Sequence, residues 1–326
     1  MPEKRVRSVS QMAASWPEGF VPEEPMSAEE RPPLLPREPG PLHPHRNRSA
    51  PVFWSAAEID DLDHATFELR RSRPERSAGE PTWAWQKAAL ALIALAIAAG
   101  AVASPRYATF ALAAALALPF LCVVLLRAAA LWYATGQRAL AAASDRAPAT
   151  PASSSGPVPR YSLLIPLYDE AAVIPDLVKA LDGLDYPRDR LQVLLILEAE
   201  DTATRSAVAA LSLPPQMSTV IVPPGEPRTK PRALNYALRQ STGDLVVVYD
   251  AEDAPEPDQL RRAAALLAAD PHLACVQARL NVFNFEETWL TRQFAIEYTV
   301  LFDYLLPTLE RLGLPLPLGG TSNHFS

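Results

Sequence analysis

The strongest constraint on the fold lies in the second half of the chain, where short apolar runs alternate with longer stretches of helical periodicity. "YSLLIPL" (161–167), "LQVLLIL" (191–197) and "MSTVIV" (217–222) have the length and aliphatic content of buried strands. Apolar runs without polar alternation are typical of strands that are covered on both faces, as in a parallel sheet. The pattern therefore predicts an α/β domain over residues 158–326, with a mostly parallel sheet flanked by helices.

Acidic residues follow three of the predicted strands, at the edge where such sheets bind ligands. After the first strand they are Asp169 and Glu170, and after the second they are Glu198, Glu200 and Asp201. A fourth predicted strand, "DLVVVY" (244–249), is followed by Asp250, Glu252 and Asp253. Carboxylates that converge repel one another unless a cation neutralises them, and Mg²⁺ and Mn²⁺ prefer oxygen ligands. The pattern predicts a site where Mg²⁺ or Mn²⁺ bridges to a phosphorylated substrate. Helix caps and solvated turns are the alternative explanation, above all for Asp253.

Basic residues and missing motifs narrow the class of ligand. Lys230 and Arg232 lie at the start of a predicted helix, where cations and free N–H groups favour a diphosphate, although surface charge is the alternative. The chain has no Walker-type loop and no G-x-G-x-x-G, which argues against kinase, ATPase and dinucleotide-dependent chemistry. A net charge of −7 without a basic block argues against nucleic acid as a partner. Cys122 and Cys275 suggest neither a disulfide nor a metal site, and they indicate a reducing compartment.

Two apolar runs precede this domain. Eighteen uncharged residues lie between Lys87 and Arg106, and twenty between Arg106 and Arg127, close to the roughly 20 that cross a bilayer. They predict a transmembrane hairpin over residues 84–133, with buried soluble helices as the alternative because alanine is abundant. Basic residues cluster on both flanks, which predicts a multi-pass protein of the inner (cell) membrane whose N-terminal tail and α/β domain are cytoplasmic.

The remaining segments have the composition of connectors. Thirteen of the 34 prolines are concentrated in the first 83 residues, where apolar periodicity is missing, and this predicts a disordered tail over residues 1–83. Within it, "FWSAAEIDDLDHATFELRR" is compatible with a docking helix, but a solvated linker is the preferred interpretation. Residues 134–157, with "SDRAPATPASSSGPVP", are predicted to be a second linker.

Five motifs in order resemble those of the family 2 glycosyltransferases, in the membrane-bound branch that includes cellulose, chitin and hyaluronan synthases. They are "YSLLIPLYDE", "YPRDRLQVLLILEAED", "KPRALNYAL", "TGDLVVVYDAED" and "GGTSNHF". The resemblance implies a GT-A fold and inverting transfer from a nucleotide-diphosphate sugar, UDP-sugar being favoured, to a glycan or lipid-linked acceptor. It also implies Mg²⁺ or Mn²⁺, exopolysaccharide synthesis, and partners in an export complex.

The family's functional residues are carried over to matching positions. Donor-binding residues are then Glu198, Glu200, Asp201, Lys230 and Asp250. The D-x-D motif that holds the metal corresponds to Asp250 and Glu252, with Glu departing from the family's second Asp, and Asp253 shares or replaces that role. "GGTSNHF" corresponds to the acceptor-side loop, with the substrate contacts Gly320, Thr321, Asn323 and His324.

The resemblance places the catalytic base in a motif that this chain does not reach. The base is expected beyond Ser326, so the domain is expected to be incomplete at its C-terminus; Glu297 and Asp303 are substitutes within the chain. Two other functions stay open. One is a truncated, non-catalytic nucleotide-sugar-binding membrane protein, and the other is a nucleotidyltransferase of related topology.

Overall fold

The computed structural model describes residues 5–8, 54–77, 79, 82–143 and 158–326. The chain divides into two compact units, of which one comprises Met1–Thr66 with Ala141–Ser326 and the other Phe67–Leu140. The second unit holds α2 (Ala84–Ala103) and most of α3 (Pro105–Ala143), which only Ser104 separates. Both helices are long and apolar enough to cross a membrane, and the most apolar stretch of each has no residue buried in the structure.

The first unit is built on a sheet whose strands alternate with helices along the chain. In chain order the elements are β1 (Arg5–Ser8), α1 (Ala56–Ser72), β2 (Tyr161–Leu167), α4 (Ile174–Asp182), β3 (Leu191–Glu198), α5 (Thr202–Ala209), β4 (Met217–Val222), α6 (Lys230–Leu238), β5 (Leu245–Val248), α7 (Gln259–Ala269), β6 (Leu273–Gln277), α8 (Trp289–Thr299), α9 (Leu306–Arg311) and β7 (Asn323–Phe325). A π-helical segment, Val300–Leu305, joins α8 to α9. The strands predicted at 161–167 and 217–222 have the predicted bounds.

The sheet is mostly parallel, which confirms the predicted α/β class. Its order among the described residues is β1-β6-β7-β5-β2-β3-β4, and only β7 runs antiparallel to its neighbours. Central placement of β5, β2 and β3 brings the ends of the predicted first, second and fourth strands side by side. The predicted acidic segments therefore meet at one edge.

The core explains why the strands are apolar throughout. Alternate residues of β2 and β3 pack on opposite faces of the sheet: Leu163 and Leu195 belong to the larger core cluster, and Leu164 and Leu194 to the smaller. All four side chains are at most 2% exposed. Burial on both faces is what an unbroken apolar run requires in a parallel sheet.

Three predictions about segments need correction. Residues 56–72, assigned to a disordered tail, form α1, and residues 134–143, assigned to a linker, continue α3. The predicted loop "GGTSNHF" ends in β7, since Asn323 to Phe325 pair with both β5 and β6. The predicted tail outside 5–8, 54–77, 79 and 82–83 lies beyond the described residues, as do residues 144–157.

Candidate functional site

A cleft of about 430 Å³ opens at the carboxyl ends of β2, β3 and β5. Its floor is apolar, with Ile196 and Ala233 among the lining residues, and its rim is charged. The ionisable side chains that line it are Glu170, Glu198, Arg228, Lys230, Asp250 and Glu252. Four carboxylates and two cations in one open cleft suit a ligand that carries negative charge together with a counter-cation.

Lys230 connects two parts of the rim. It is the first residue of α6, and its ammonium group donates to Asp250 Oδ1 and, at 3.1 Å, to the carbonyl oxygen of Gly320. Both charged side chains stay about one-third exposed. The cation therefore lies between the end of β5 and the turn before β7, where an incoming anion can reach it.

The carboxylates of the rim lie close enough to affect one another's ionisation. Partial burial raises the pKa of Glu170, and the negative charges of Glu252, Asp169 and Asp250 raise it further. Glu170, Asp250 and Glu252 all line the cleft, so carboxylates that follow β2 and β5 share it. Such an arrangement favours a bound cation, because a cation removes the mutual repulsion.

Asp253 holds the turn and does not line the cleft. Its Oδ2 accepts from the backbone N–H of Asp250 at 2.8 Å and from the hydroxyl of Thr321. Burial raises the pKa of Asp253, and these hydrogen bonds oppose the shift. The metal role predicted for Asp253 therefore has no support from its position, which orients Asp250 instead.

Glu198 and Arg232 form a buried ion pair below the cleft. Arg232 Nη2 donates to Glu198 Oε2 at 2.6 Å, and the two side chains are 1% and 10% exposed. Burial raises the pKa of Glu198, and the Arg232 guanidinium opposes this. Arg232 also donates to the carbonyl oxygen of Gly225. Its predicted contact with a diphosphate is replaced by this internal pairing, which also neutralises Glu198.

The other two acidic residues after β3 are engaged as well. Glu200 is exposed and pairs with Arg228, whose guanidinium lies 5.9 Å from the centre of the Tyr168 ring and 3.3 Å from its hydroxyl. Asp201 caps α5, accepting from the backbone N–H of Thr204 at 3.0 Å and of Asp169 at 2.7 Å. Although partial burial raises it, these hydrogen bonds hold the pKa of Asp201 below its usual range. Asp201 therefore serves as a helix cap and not as a donor contact.

Two of the four acceptor-side residues are buried inside the sheet. His324 is 0% exposed and its Nδ1 lies 2.8 Å from the Tyr161 hydroxyl, while burial lowers its pKa to about 3. Asn323 is buried and donates to the carbonyl oxygen of Gly319 at 2.6 Å. Both residues belong to β7, so the structure places their side chains inside the sheet and not at the rim of the cleft, where substrate contacts were predicted. Gly320 accepts a hydrogen bond from Lys230 of the rim, whereas Thr321 is buried and donates to Asp253.

The carboxylate oxygens that line the cleft suit a divalent ion that a bound phosphate ligand would help to coordinate. Within the described residues, no three His, Cys, Asp or Glu side chains are arranged to hold an ion by themselves. Asp250 and Glu252 nevertheless line the cleft together, and Mg²⁺ in phosphate-transfer sites is commonly held by one or two carboxylates and the substrate's phosphates. The site is suited to Mg²⁺ or Mn²⁺ in that shared mode.

Three residues of the site were not singled out by sequence reasoning. Arg228 lies two residues before Lys230 but belongs to none of the motifs. Glu170 follows β2 and was noted only as part of an acidic end. Gln277 is 2% exposed; its Oε1 accepts from Gly319 N–H at 2.9 Å and its Nε2 donates to the carbonyl oxygen of Thr321 at 3.1 Å. A polar residue that ends an apolar strand was the available signal for Gln277.

The backbone is conformationally restricted at one residue after β2 and at one residue just before β7. Asp169 and Ser322 have φ values of 58° and 56°, in the left-handed region that few non-glycine residues adopt. Ser322 is held by its backbone, donating to Val248 O at 2.7 Å and accepting from Ala278 N–H at 2.9 Å. Strained backbone at two edges of one cleft is typical of a functional site.

Comparison with known proteins shows which families and proteins the α/β domain is similar to. Residues 159–302 match the family described as "Glycosyltransferase like family 2". The chain is 31% identical over 150 residues to the probable glycosyltransferase YdaM of Bacillus subtilis (strain 168), covering 45% of this chain and 36% of that protein. It is 33% identical over 141 residues to the beta-monoglucosyldiacylglycerol synthase of Synechocystis sp., covering 43% and 29%. The chain thus spans about a third of the length of these curated relatives.

Further similarity extends to plants and to a solved structure. The probable glucomannan 4-beta-mannosyltransferase 1 of Arabidopsis thaliana is 34% identical over 142 residues, covering 41% of this chain and 26% of that protein. The mannosyltransferase PcManGT from Pyrobaculum calidifontis, solved in complex with GDP-Man and Mn²⁺, is 28% identical, with a TM-score of 0.38, covering 61% of this chain and 60% of that one. The resemblance seen in the sequence is confirmed: residues 159–302 match the family 2 glycosyltransferases, and they lie in a domain with the predicted, mostly parallel α/β sheet.

Proposed function

We propose that this protein is a membrane-anchored glycosyltransferase that binds a nucleotide-diphosphate sugar in the cleft and passes the sugar to an acceptor hydroxyl. The observation that carries the proposal is the contact between Lys230 and Asp250 at the mouth of that cleft. A lysine held by one carboxylate, with Glu252 and Glu170 alongside, is arranged to exchange its partner for a diphosphate.

The basic and the acidic side chains of the cleft have different proposed roles in binding the donor and in stabilising the leaving group. Lys230 and Arg228 present cations to the diphosphate, where they oppose the negative charge that develops as the sugar bond breaks. Asp250 and Glu252 would hold Mg²⁺ or Mn²⁺ together with the same phosphates. When bound, the ion supplies further charge neutralisation on the leaving group. The cleft residues Tyr168 and Ile196 leave a partly apolar surface for the rest of the donor.

The finer features of the proposal come from the family and from α2 and α3. UDP-sugar is the first donor to test, and inverting transfer to a glycan or lipid-linked acceptor is the proposed reaction. The two apolar helices support anchoring in the inner membrane with the domain on the cytoplasmic side. Exopolysaccharide synthesis and partners in an export complex complete the proposal. The names of the relatives, which include sugar transfer to a lipid and to a mannan, support a glycan or lipid acceptor.

Nucleotide binding by the purified full chain tests the site. We expect UDP or GDP to bind in the presence of Mn²⁺ and to bind on the order of a hundredfold more weakly in Asp250→Asn, because the ion and the diphosphate share this carboxylate. The measurement is isothermal titration calorimetry in micelles, with and without a chelator. Asp189→Asn is the matched control, since its side chain is 82% exposed and it precedes β3, at the other end of the strand from the cleft.

Two results contradict parts of the proposal, and a third contradicts its alternative. Unchanged affinity in Asp250→Asn contradicts the metal assignment, and absence of binding to either nucleotide contradicts the function. Sugar transfer from a panel of labelled UDP- and GDP-sugars, by the same purified chain, decides against the alternative of a non-catalytic nucleotide-sugar binder.

A further inference from the structure

The first half of α1 packs against α6, the helix that begins with Lys230. Leu62 of α1 is 6% exposed and joins the smaller core cluster with Val222, Ala233 and Tyr236. Leu62 is thus the apolar anchor of a segment that the sequence suggested to be solvated. Residues 56–66 belong to the same compact unit as the whole of the glycosyltransferase domain.

Two polar contacts accompany the apolar anchor. Asn235 Nδ2 donates to the carbonyl oxygen of Ala65 at 3.0 Å, and Arg239 Nη2 lies 2.7 Å from Asp61 Oδ1. The contacting residues of α1 fall at positions 61, 62 and 65, and those of α6 at 235, 236 and 239. Both sets have the three- and four-residue spacing of a single helix face. The docking is therefore a helix–helix interface with specified polar ends.

The start of α1 is defined by its own sequence. Ser55 Oγ accepts from Glu58 N–H at 3.2 Å, and Glu58 Oε2 accepts from Ser55 N–H at 2.9 Å. These reciprocal hydrogen bonds form a capping box. Because most helical stability in proteins comes from tertiary packing, we expect contact with α6 to stabilise α1 further.

The anchor also reaches the segment between β4 and α6. A Cβ added to Gly225 would lie 3.0 Å from Leu62 Cδ2 and 3.1 Å from Arg232 Nη1, so Leu62 contacts this backbone without room to spare. Gly225 O accepts from Arg232, whose other partner is Glu198 of the cleft. The same segment continues into Arg228, Thr229 and Lys230, all of which line the cleft.

We propose that the first half of α1 is a positioning element of the donor cleft. Leu62 and Asp61 hold residues 223–229 and the start of α6 so that Arg228 and Lys230 face the donor diphosphate. Neither Leu62 nor Asp61 lines the cleft, so both act through other residues. The inference rests on the proposed function for the identity of the ligand, and it adds a role for a segment outside residues 159–302.

A pair of aspartate substitutions on one helix tests this inference. Leu62→Asp places a charge in the interface, whereas Ile59→Asp makes the same change at a side chain that is 55% exposed. In the full chain in micelles, we expect Leu62→Asp to weaken Mn²⁺-dependent UDP or GDP binding about tenfold, because misplaced binding groups lose affinity. Amide exchange in residues 223–239 should become faster in Leu62→Asp, and Ile59→Asp should resemble the wild type in both measurements.

A second set of variants makes a milder change, so that the test does not depend on whether Leu62→Asp folds. Asp61→Arg should weaken nucleotide binding a few-fold through repulsion of Arg239, and Asp61→Arg combined with Arg239→Asp should restore it. Asp60→Arg is the matched control, since Asp60 is exposed on the same helix. Exchange in β2 and β3 reports on the global fold in each variant.

The outcomes separate this inference from the proposed function. If the wild type binds nucleotide and Leu62→Asp binds it equally well, the positioning role is wrong even where exchange increases, because α1 then only covers the domain. If the wild type binds neither nucleotide, the proposed function is wrong and the inference falls with it. Weaker binding in Leu62→Asp and Asp61→Arg, with rescue by the charge exchange, supports the inference.

Discussion

Two acidic segments of nearly identical sequence have different roles in this protein. "EAED" (198–201) follows β3 and "DAED" (250–253) follows β5, and they differ in one residue. In the first segment Glu198 is buried against Arg232, Glu200 pairs with Arg228, and Asp201 caps α5. In the second segment only Asp253 is committed to the local backbone and Thr321.

The difference shows how a cation site is distinguished from a structural carboxylate cluster. Glu252 lines the cleft and has no ion pair with a basic side chain among the described residues, and Asp250 is half-buried beside Lys230, which an anion can displace. The segment after β3 is neutralised by two arginines and a helix terminus. The segment after β5 retains the uncompensated charge that favours a metal ion.

The buried pair should have the largest effect on stability. Arg232→Met leaves the Glu198 carboxylate buried without its partner, and we expect the free energy of unfolding to fall by about 3–5 kcal/mol. Arg228→Met breaks the corresponding exposed pair and should lower the free energy of unfolding much less, because solvent screens the exposed charges. Chemical denaturation of the full chain in micelles measures both. Equal losses would contradict the division between a buried and an exposed arginine.

A second comparison concerns the ion requirement of the two segments. Glu252→Gln should raise the Mn²⁺ concentration needed for half-maximal nucleotide binding on the order of tenfold, because one of the two proposed carboxylate ligands loses its charge. Glu200→Gln is the matched control, because Arg228 already neutralises Glu200. Titration of Mn²⁺ at fixed UDP measures the shift, and an equal shift in both variants would assign the ion to neither segment alone.

The smallest effect is the opposite pH dependence of the two final aspartates. The pKa of Asp201 is lowered from 3.8, so its stabilisation is present above pH 3.8 and is lost as the pH falls through the lower folded-state value. The pKa of Asp253 is raised from 3.8, so its contribution is present below pH 3.8 and is lost as the pH rises through the higher folded-state value.

Asparagine variants measure that contrast. The stability deficit of Asp201→Asn should shrink as the pH is lowered from 7 to below 3.8, because the wild type loses its charged cap. The wild type should gain stability relative to Asp253→Asn over the same change, because its buried carboxyl becomes protonated. Denaturation at a series of pH values gives both slopes, and slopes of the same sign would contradict the distinction.

Local sequence patterns predicted the strands more accurately than they predicted the long-range contacts at the strand ends. β2 and β4 have the predicted bounds, because an apolar run bounded by polar residues is a local signal. β7 was predicted to be a loop, because three residues that pair antiparallel with β5 and β6 carry no such signal. α1 was placed in a disordered tail, since its buried residue Leu62 packs against α6, which lies more than 150 residues away in the sequence.

The amino-acid sequence by itself determined the α/β class, the apolar helices α2 and α3, and the acidic ends of β2, β3 and β5. These features depend on periodicity and composition within a few residues. Only the tertiary structure decided which carboxylates remain available to a ligand. The deciding partners are distant in sequence, as Arg232 is from Glu198 by 34 residues and Thr321 from Asp253 by 68. Charge neutralisation acts through space, so the fold selects among carboxylates that the sequence presents alike.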